Sequence, residues 1–392
     1  MAVNIVDSCP AENAPTPTER SDDSAARASL AATMTHRASA QTYATIRLLA
    51  DRRRAADAFR AYAYFRWVDD RLDDPDAPAA DRAAFLVRQS ALLDSGYRGR
   101  LPAAGLCPEE ALLADLIATD NETDSGLQSY LRHMMGVMAF DVARRGRLVS
   151  AAQLEDYTQL LSTAVGDALF HFIGHDQQPP REPGRYDAVR GAHIIHMLRD
   201  MVEDALLGYV NIPADYLAAH GLSHAPSAAD LAEPPFRAWV AARVRLARDE
   251  FAAGRAYLAK LRNRRCRLAG AAYIARFEYV AGLIERDGYH LRADYPERRS
   301  PAAALWMATV SYTHLTLPTK RIARPMVAAA TNSSANEGLK SRDMGFLPLI
   351  CGCPRVNSEL ETRYWPASPS IGSRPASGVR SSQRAGDSRR AR

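Results

Sequence analysis

The sequence predicts an all-α fold, and three observations carry that expectation. Ala, Leu and Arg dominate residues 36–308, β-branched alternation is nearly absent there, and apolar residues recur at helical spacing. A composition 47% apolar and 24% charged supports a sizeable core and excludes wholesale disorder. In chain order the pattern predicts helices at 37–50, 53–73, 79–94, 108–119, 125–146, 151–174, 186–208, 235–262 and 265–288. Pro75 and Pro78 separate the second helix from the third, and Pro102 to Gly105 separate the third from the fourth. Pro179 to Gly184 break the run before the seventh helix, and Pro213, after Asn211, follows its end. No fixed-period repeat and no Gly/Ser/Pro linker divides residues 36–308, so one helical domain is expected there.

The flanks read differently. Residues 1–35, rich in Ala, Ser, Thr, Asp and Pro without apolar periodicity, are expected to be a disordered leader. Residues 310–392 hold 13 Lys and Arg against 5 Asp and Glu, a local charge of +8 in a chain whose total is +5. Residues 1–309 therefore carry −3, and a pI of about 9.0 belongs to the tail alone. The ten residues Val310 to Thr319, VSYTHLTLPT, resemble a translated frame of the transposase adapter used in sequencing libraries. On that match, 309–392 is expected to be an artefactual or disordered basic tail, and its charge does not argue for nucleic-acid binding. Five scattered cysteines (Cys9, Cys107, Cys266, Cys351, Cys353) imply no disulfide framework. With no signal-peptide pattern and no apolar run near the ~18 residues of a membrane span, a cytoplasmic location is expected.

Two acidic segments carry candidate chemistry. The first is Arg66-Trp67-Val68-Asp69-Asp70-Arg71-Leu72-Asp73-Asp74, closing the second predicted helix. Asp69 and Asp73 are four apart and project about 40° from each other on one helix face. Such a pair can share a hard cation such as Mg²⁺, and Arg66, one turn earlier, can meet an anion held by that metal. Alone, the segment reads equally as a solvated acidic helix end. The second runs from His193 through His196, Arg199, Asp200, Glu203, Asp204 and Gly208 to Pro213. Asp200 and Asp204 repeat the spacing of four, beside an apolar stripe of Ile194, Ile195, Leu198, Met201 and Val202. Taken alone this is either a salt-bridged face served by Arg199 or a ligand ladder, because unpaired buried charge is costly. Two ladders opposed across one bundle would bind several Mg²⁺ ions and, through them, a diphosphate.

Together these segments make the chain resemble the squalene/phytoene synthase family, the head-to-head prenyltransferases of the isoprenoid synthase fold. Asp69, Asp70 and Asp73 match the family's DDxxD-type segment, and Leu198, Arg199, Asp200, Glu203, Asp204, Gly208 and Pro213 its later NxxRDxxEDxxxGRxYxP segment. Tyr157, Leu161, Val165 and Gly166 resemble the helix that lines the prenyl cavity, and Met138 and Asp141 an MxxD element upstream. Thr42-Tyr43 stands where the family has a diphosphate-binding Ser-Phe/Tyr pair. The likeness covers roughly 37–295. The departures are His193 and His196 for a Gln and an Asn, Tyr209 and Asn211 for an Arg and a Tyr, and Thr163-Ala164 for a Gly-Thr pair.

The resemblance implies a single isoprenoid-synthase-type bundle with a central cavity, acting on prenyl diphosphates. It implies Mg²⁺, with Mn²⁺ as an alternative, held by Asp69, Asp70, Asp73, Asp200 and Asp204. Asp69, Asp73, Asp200, Asp204 and Tyr157 would be catalytic, and Arg66, Arg199, Thr42, His193 and His196 would meet the diphosphate. Tyr62, Leu161, Val165 and Gly166 would line the prenyl pocket, although Tyr62 and Leu161 read equally as core packing. A transition-metal site at His193, His196 and Asp200 is a minor alternative, and a di-iron bundle lacks its Glu-x-x-His pairs. The departures leave room for a non-catalytic assembly protein on the same fold. A long hydrocarbon product implies transient contact with a membrane surface. Chain length, an NADPH-dependent step and oligomeric state do not follow from the residues.

Overall fold

The computed structural model describes residues 17–102, 104–174, 179–222 and 226–316. Thirteen α-helices run in order among them: α1 (Pro17–Ala38), α2 (Ala40–Leu49), α3 (Ala55–Asp73), α4 (Ala79–Tyr97), α5 (Pro108–Thr119), α6 (Gly126–Arg144) and α7 (Ala151–Ile173). Then come α8 (Asp187–Leu206), α9 (Ala214–Ala219), α10 (Ala228–Ala232), α11 (Pro234–Lys260), α12 (Arg264–Arg286) and α13 (Pro301–Thr316). There is no strand among the described residues. Capping sets the sharp starts. Ser125 Oγ accepts the Gln128 amide at 2.8 Å, Ser150 forms a reciprocal box with Gln153, and Asn263 receives the Arg265 and Cys266 amides.

The two ladder helices do not pack directly on one another. The α6–α7 hairpin stands between them: α3 packs on α6 and α7, and α8 packs on α7, α11 and α12. Helix α7 is buried around its circumference from Leu161 to Ile173, while its first turns leave Glu155, Asp156 and Gln159 exposed. The loop ends are tied together by glycine. Gly146 and Gly208 adopt φ of +73° and +89°, and the Gly146 amide donates to the Gly208 carbonyl at 2.8 Å. That clasp brings the C-terminal end of α6 against the C-terminal end of α8. Elsewhere Gly254 lets α11 close on α8: a Cβ there would stand 2.6 Å from the Ala188 amide nitrogen. Gly254→Ala is accordingly expected to cost about 1–3 kcal/mol of stability, read as a lower denaturant midpoint. An unchanged midpoint would contradict the close approach.

Three expectations are corrected. The predicted leader 1–35 is not disordered throughout, because α1 occupies Pro17–Ala38 and buries Ala31 and Thr35 against the core. Arg27 is bonded to Asp115 at 2.8 Å, and Arg60 reaches the Ser24 carbonyl at 3.0 Å. The α1 core face consists of Ala and Thr, so a search for Leu, Ile and Val could not see its period. The predicted helix 37–50 is divided at Ser39, whose extended backbone (φ −158°) and side-chain bond to the Thr42 amide cap α2. The helical region also does not stop at 308. Helix α13 continues to Thr316, with Met307 buried against α12, since no helix breaker intervenes before Pro318. Residues 1–16 and 317–392, with Cys9, Cys351 and Cys353, lie outside the described residues.

Candidate active site

Helix α3 ends on the first ladder. Phe59, Phe65 and Val68 bury its core face, which carries Asp69 inward to 3% exposure, while Asp73 is partly covered and Asp70 exposed. Asp70 thus differs from Asp69 and Asp73 in facing solvent. It is the principal partner of Arg66, whose second partner, Asp69 Oδ2, is 3.5 Å away. Burial first, and the neighbouring Asp73 next, push the Asp69 carboxyl well above the usual range. Burial and Asp141 push Asp73 up to about 6.

Helix α8 carries the second ladder in two unlike halves. Asp200 is ion-paired with Arg199, and His196 Nε2 is 2.8 Å from its Oδ2. Burial alone would raise the Asp200 carboxyl, but Arg199 and His196 hold it well below the ordinary value. Arg199 and His196 thus both pair with Asp200 in this structure. Asp204 is different. Burial and the charge of Asp200 push it up to about 7, although Asn211 Nδ2 donates to its Oδ2 at 2.6 Å.

A network that sequence reasoning did not assemble joins the two ladders. Asp141, on α6, accepts from Arg144 Nε at 2.7 Å and from the Tyr157 hydroxyl at 3.0 Å. Arg144 Nη1 donates to Asn211 Oδ1 at 2.7 Å, and Asn211 in turn holds Asp204. The Tyr209 hydroxyl reaches Asp73 Oδ1 at 3.4 Å, closing the path back to α3. Arg144 is 6% exposed and its guanidinium lies within 4.8 Å of the Tyr157 ring centre and 5.0 Å of the Tyr209 ring centre. Burial raises the Asp141 carboxyl despite those donors. Tyr209 and Asn211, two of the family departures, are the residues that touch Asp73 and Asp204. Arg144 was missed altogether; its one legible signal was the Asp141–Arg144 spacing of three on a helix.

The other expected site residues separate. Tyr157, Leu161 and Val165 are buried along α7, Tyr157 stacked on Phe140 at 4.8 Å. Gly166 presses on Tyr186 and, with Val165, lines a small apolar cavity of about 30 Å³ beside Phe170, Tyr257 and Tyr273. Thr42 is buried at the α2 cap and bonded to Ser39 Oγ at 2.9 Å; it also bonds Tyr62, which is partly buried. His193 is 1% exposed, its ring edge-on to Tyr157 at 5.0 Å, and neither ring nitrogen has a hydrogen-bond partner. It stands seven residues, about 10 Å, along the helix from Asp200.

The donor set suits a hard cation. Burial raises the Asp69, Asp73, Asp141 and Asp204 carboxyls, and nearby carboxylates add to the rise at Asp69, Asp73 and Asp204, a balance a divalent ion would reverse. Among the described residues no three His, Cys, Asp or Glu side chains already converge as a closed metal cluster. His193, His196 and Asp200 are likewise not gathered into a three-ligand group among the described residues.

A strand-free bundle with an aspartate pair on each of two helices defines an isoprenoid-synthase-type fold. The chain belongs to the squalene/phytoene synthase family, whose sequence model matches residues 35–304. It is 28% identical over 200 residues to a presqualene diphosphate synthase of Sinorhizobium fredii, covering 50% of this chain and 67% of that one. A presqualene diphosphate synthase of Rhodopseudomonas palustris is 26% identical over 181 residues, 46% of this chain and 61% of that one. In fold, the chain resembles the squalene synthase HpnC of Alicyclobacillus acidocaldarius (TM-score 0.54, 20% identity, 71% of this chain and 98% of that one). A dehydrosqualene synthase crystallised with ligand gives a TM-score of 0.53 at 16% identity, over 76% of this chain and 98% of that one. No helix among the described residues is long and apolar enough to cross a membrane.

Proposed function

We propose that the protein is a Mg²⁺-dependent prenyltransferase that condenses two allylic prenyl diphosphates head to head. The observation that carries this is that the segment after α8 holds one aspartate of each ladder, Asp73 through the Tyr209 hydroxyl and Asp204 through the Asn211 amide. Asp69, Asp73 and Asp204 would hold Mg²⁺, which supplies Lewis-acid neutralisation of the diphosphate when bound. Tyr209 and Asn211 orient Asp73 and Asp204, and Asp141, fixed by Arg144 and Tyr157, holds the two ends in register. The leaving diphosphate departs with the C–O electron pair. The double bond of the second substrate attacks the allylic cation, forming one carbon–carbon bond and a tertiary cation; the released diphosphate then takes a proton from carbon 1 of the first substrate, and that C–H electron pair forms the second carbon–carbon bond, closing a cyclopropane. The apolar wall of Leu161 and Val165 keeps water from that cation.

The test is incubation of the full chain with Mg²⁺ and farnesyl or geranylgeranyl diphosphate, scoring inorganic diphosphate and extracted products. Mg²⁺-dependent release with a coupled product is expected; absence of release with both substrates would sink the proposal. A second possibility, a non-catalytic assembly protein, draws support from the engagement of Asp200 by Arg199 and His196. It predicts that Mg²⁺ plus a diphosphate analogue leaves the melting temperature unchanged, because only a competent site gains stability by linkage.

A further inference from the structure

Of the arginines beside the two ladders, Arg66 pairs with Asp70 and Asp69, Arg144 with Asp141 and Asn211, and Arg199 with Asp200. Arg145, the residue that ends α6, is different. Its Nη1 is buried, and it makes no hydrogen bond and no ion pair among the described residues. A guanidinium N–H shut off from water without a partner bears its full desolvation cost, a state that buried polar groups rarely keep without a use. The guanidinium lies 5.9 Å from the Tyr209 ring centre, on the ring whose hydroxyl reaches Asp73 at 3.4 Å. Its stem packs on the Gly146–Gly208 clasp, where a Cβ on Gly208 would stand 3.9 Å from Arg145 Cγ. Its charge offsets the rise of the Asp73 carboxyl more than Arg66 does, although the two are not bonded. Arg145, Asp73 and Asp204 are each partly exposed and Gly146 is exposed, so a solute can reach this corner. The family pattern carries an arginine at the position of Tyr209. This chain has lost that cation from the segment after α8 and has an unengaged one across the clasp.

We propose that Arg145 binds the substrate diphosphate on the Asp73 side of the site, replacing from the end of α6 the arginine that the family pattern places at Tyr209. The inference deepens the prenyltransferase reading above and rests on it. A diphosphate presents oxygens on two adjacent phosphorus atoms, and the planar guanidinium fork suits such an anion through charge-assisted bonds. Mg²⁺ on Asp73 would draw the anion to this corner, and Arg145 supplies N–H donors there that no protein acceptor uses. Tyrosine at 209 then has two tasks. Its ring carries the guanidinium by a cation–π contact, and its hydroxyl bonds Asp73. The rival role is a structural counter-charge for Asp73, and the two differ in what ligand-free stability and ligand affinity each lose.

The experiment measures binding rather than turnover. The full chain in Mg²⁺ is titrated calorimetrically with inorganic diphosphate and with farnesyl thiodiphosphate, an analogue that ionises poorly. The proteins are the native chain, Arg145→Gln, Arg145→Lys and Arg147→Gln, the last controlling for loss of an exposed charge beside the clasp. Arg145→Gln is expected to weaken both ligands by the same factor, about 10-fold or more, the size of a lost hydrogen bond between charged groups. Arg145→Lys, which keeps the charge but not the fork, is expected to fall between, and Arg147→Gln to bind as the native chain does. Without ligand, the melting temperature of Arg145→Gln is expected not to fall, because no ion pair is lost. A loss of affinity no greater than that of Arg147→Gln overturns the proposal. So does a loss for the prenyl analogue that inorganic diphosphate does not share, or a lower ligand-free melting temperature with native affinity, which would make Arg145 a counter-charge. If Arg145→Gln fails to fold, native affinity in Arg145→Lys overturns it. Each of these results leaves the prenyltransferase reading standing; no binding of either ligand by the native chain overturns both.

Discussion

Asp69→Asn is expected to lower diphosphate release by about 100-fold or more while raising the melting temperature. The activity loss follows from removing one anionic oxygen from the cation-holding set, where the Lewis-acid contribution is worth several kcal/mol. The gain in stability follows from the same burial. Asp69 is 3% exposed, and burial and Asp73 together disfavour its ionised form. Its closest cation, Arg66, lies at 3.5 Å and is shared with Asp70, so little pairing is lost. Removing a poorly compensated buried charge stabilises by about 1 kcal/mol or more. The two effects have one cause, a site whose charge is balanced only when a cation is present. A melting temperature that falls, or activity that persists, would separate them and count against the assignment.

The pH dependence has a definite sign. Asp73, raised to about 6, and Asp204, raised to about 7, hold protons in the folded state that the unfolded chain releases near 3.8. Their contribution to stability therefore falls as pH rises from about 4 through 7, and Asp69→Asn should flatten that decline. His193 acts oppositely below its ordinary value of 6.5, because burial keeps it neutral when the unfolded chain would protonate it. Asp200, lowered by its partners, contributes stability above 3.8. With Mg²⁺ and diphosphate added, stabilisation should grow as pH rises through 6–7, since binding requires Asp73 and Asp204 ionised. Melting curves across pH 5 to about 8, with and without Mg²⁺, measure both slopes.

Much of this was legible in the residues. Helices such as α5, predicted at 108–119 and found at Pro108–Thr119, lie between strong breakers and carry apolar residues at helical spacing. The ladders were legible because an aspartate pair four apart fixes a helix face whatever the tertiary structure. What was hidden has a physical reason in each case. Helix α1 buries Ala and Thr, which hydropathy scores as neutral. The partition of the second ladder into an engaged Asp200 and a raised Asp204 depends on where Arg199 and Asn211 reach. The Tyr157–Asp141–Arg144–Asn211–Asp204 path crosses α7, α6, the segment after α8 and α8 itself, so no spacing in one segment announces it. The Gly146–Gly208 clasp that permits it is equally non-local.

Arg144→Met is expected to destabilise the protein by about 3–5 kcal/mol, the cost of stranding a buried carboxylate by removing its partner. Arg144 is 6% exposed and supplies Asp141 with its charge-assisted bond at 2.7 Å, while Tyr157 alone could not balance that charge. Met fills much of the same volume and packs against Phe140, Tyr157 and Tyr209, so the loss is electrostatic rather than a cavity. The discriminating variant is therefore the double one. Asp141→Asn should itself cost less, because burial already disfavours the Asp141 charge, and Arg144→Met with Asp141→Asn should recover at least about 1 kcal/mol over Arg144→Met alone. Arg144→Lys keeps the charge but loses the planar fork that spans Asp141 and Asn211, and should fall between. Urea midpoints of the four proteins close the cycle. Additive losses would mean that Arg144 acts through its ring contacts alone. A positive coupling would identify it as the cation that lets two acidic helices stand opposed before any metal binds.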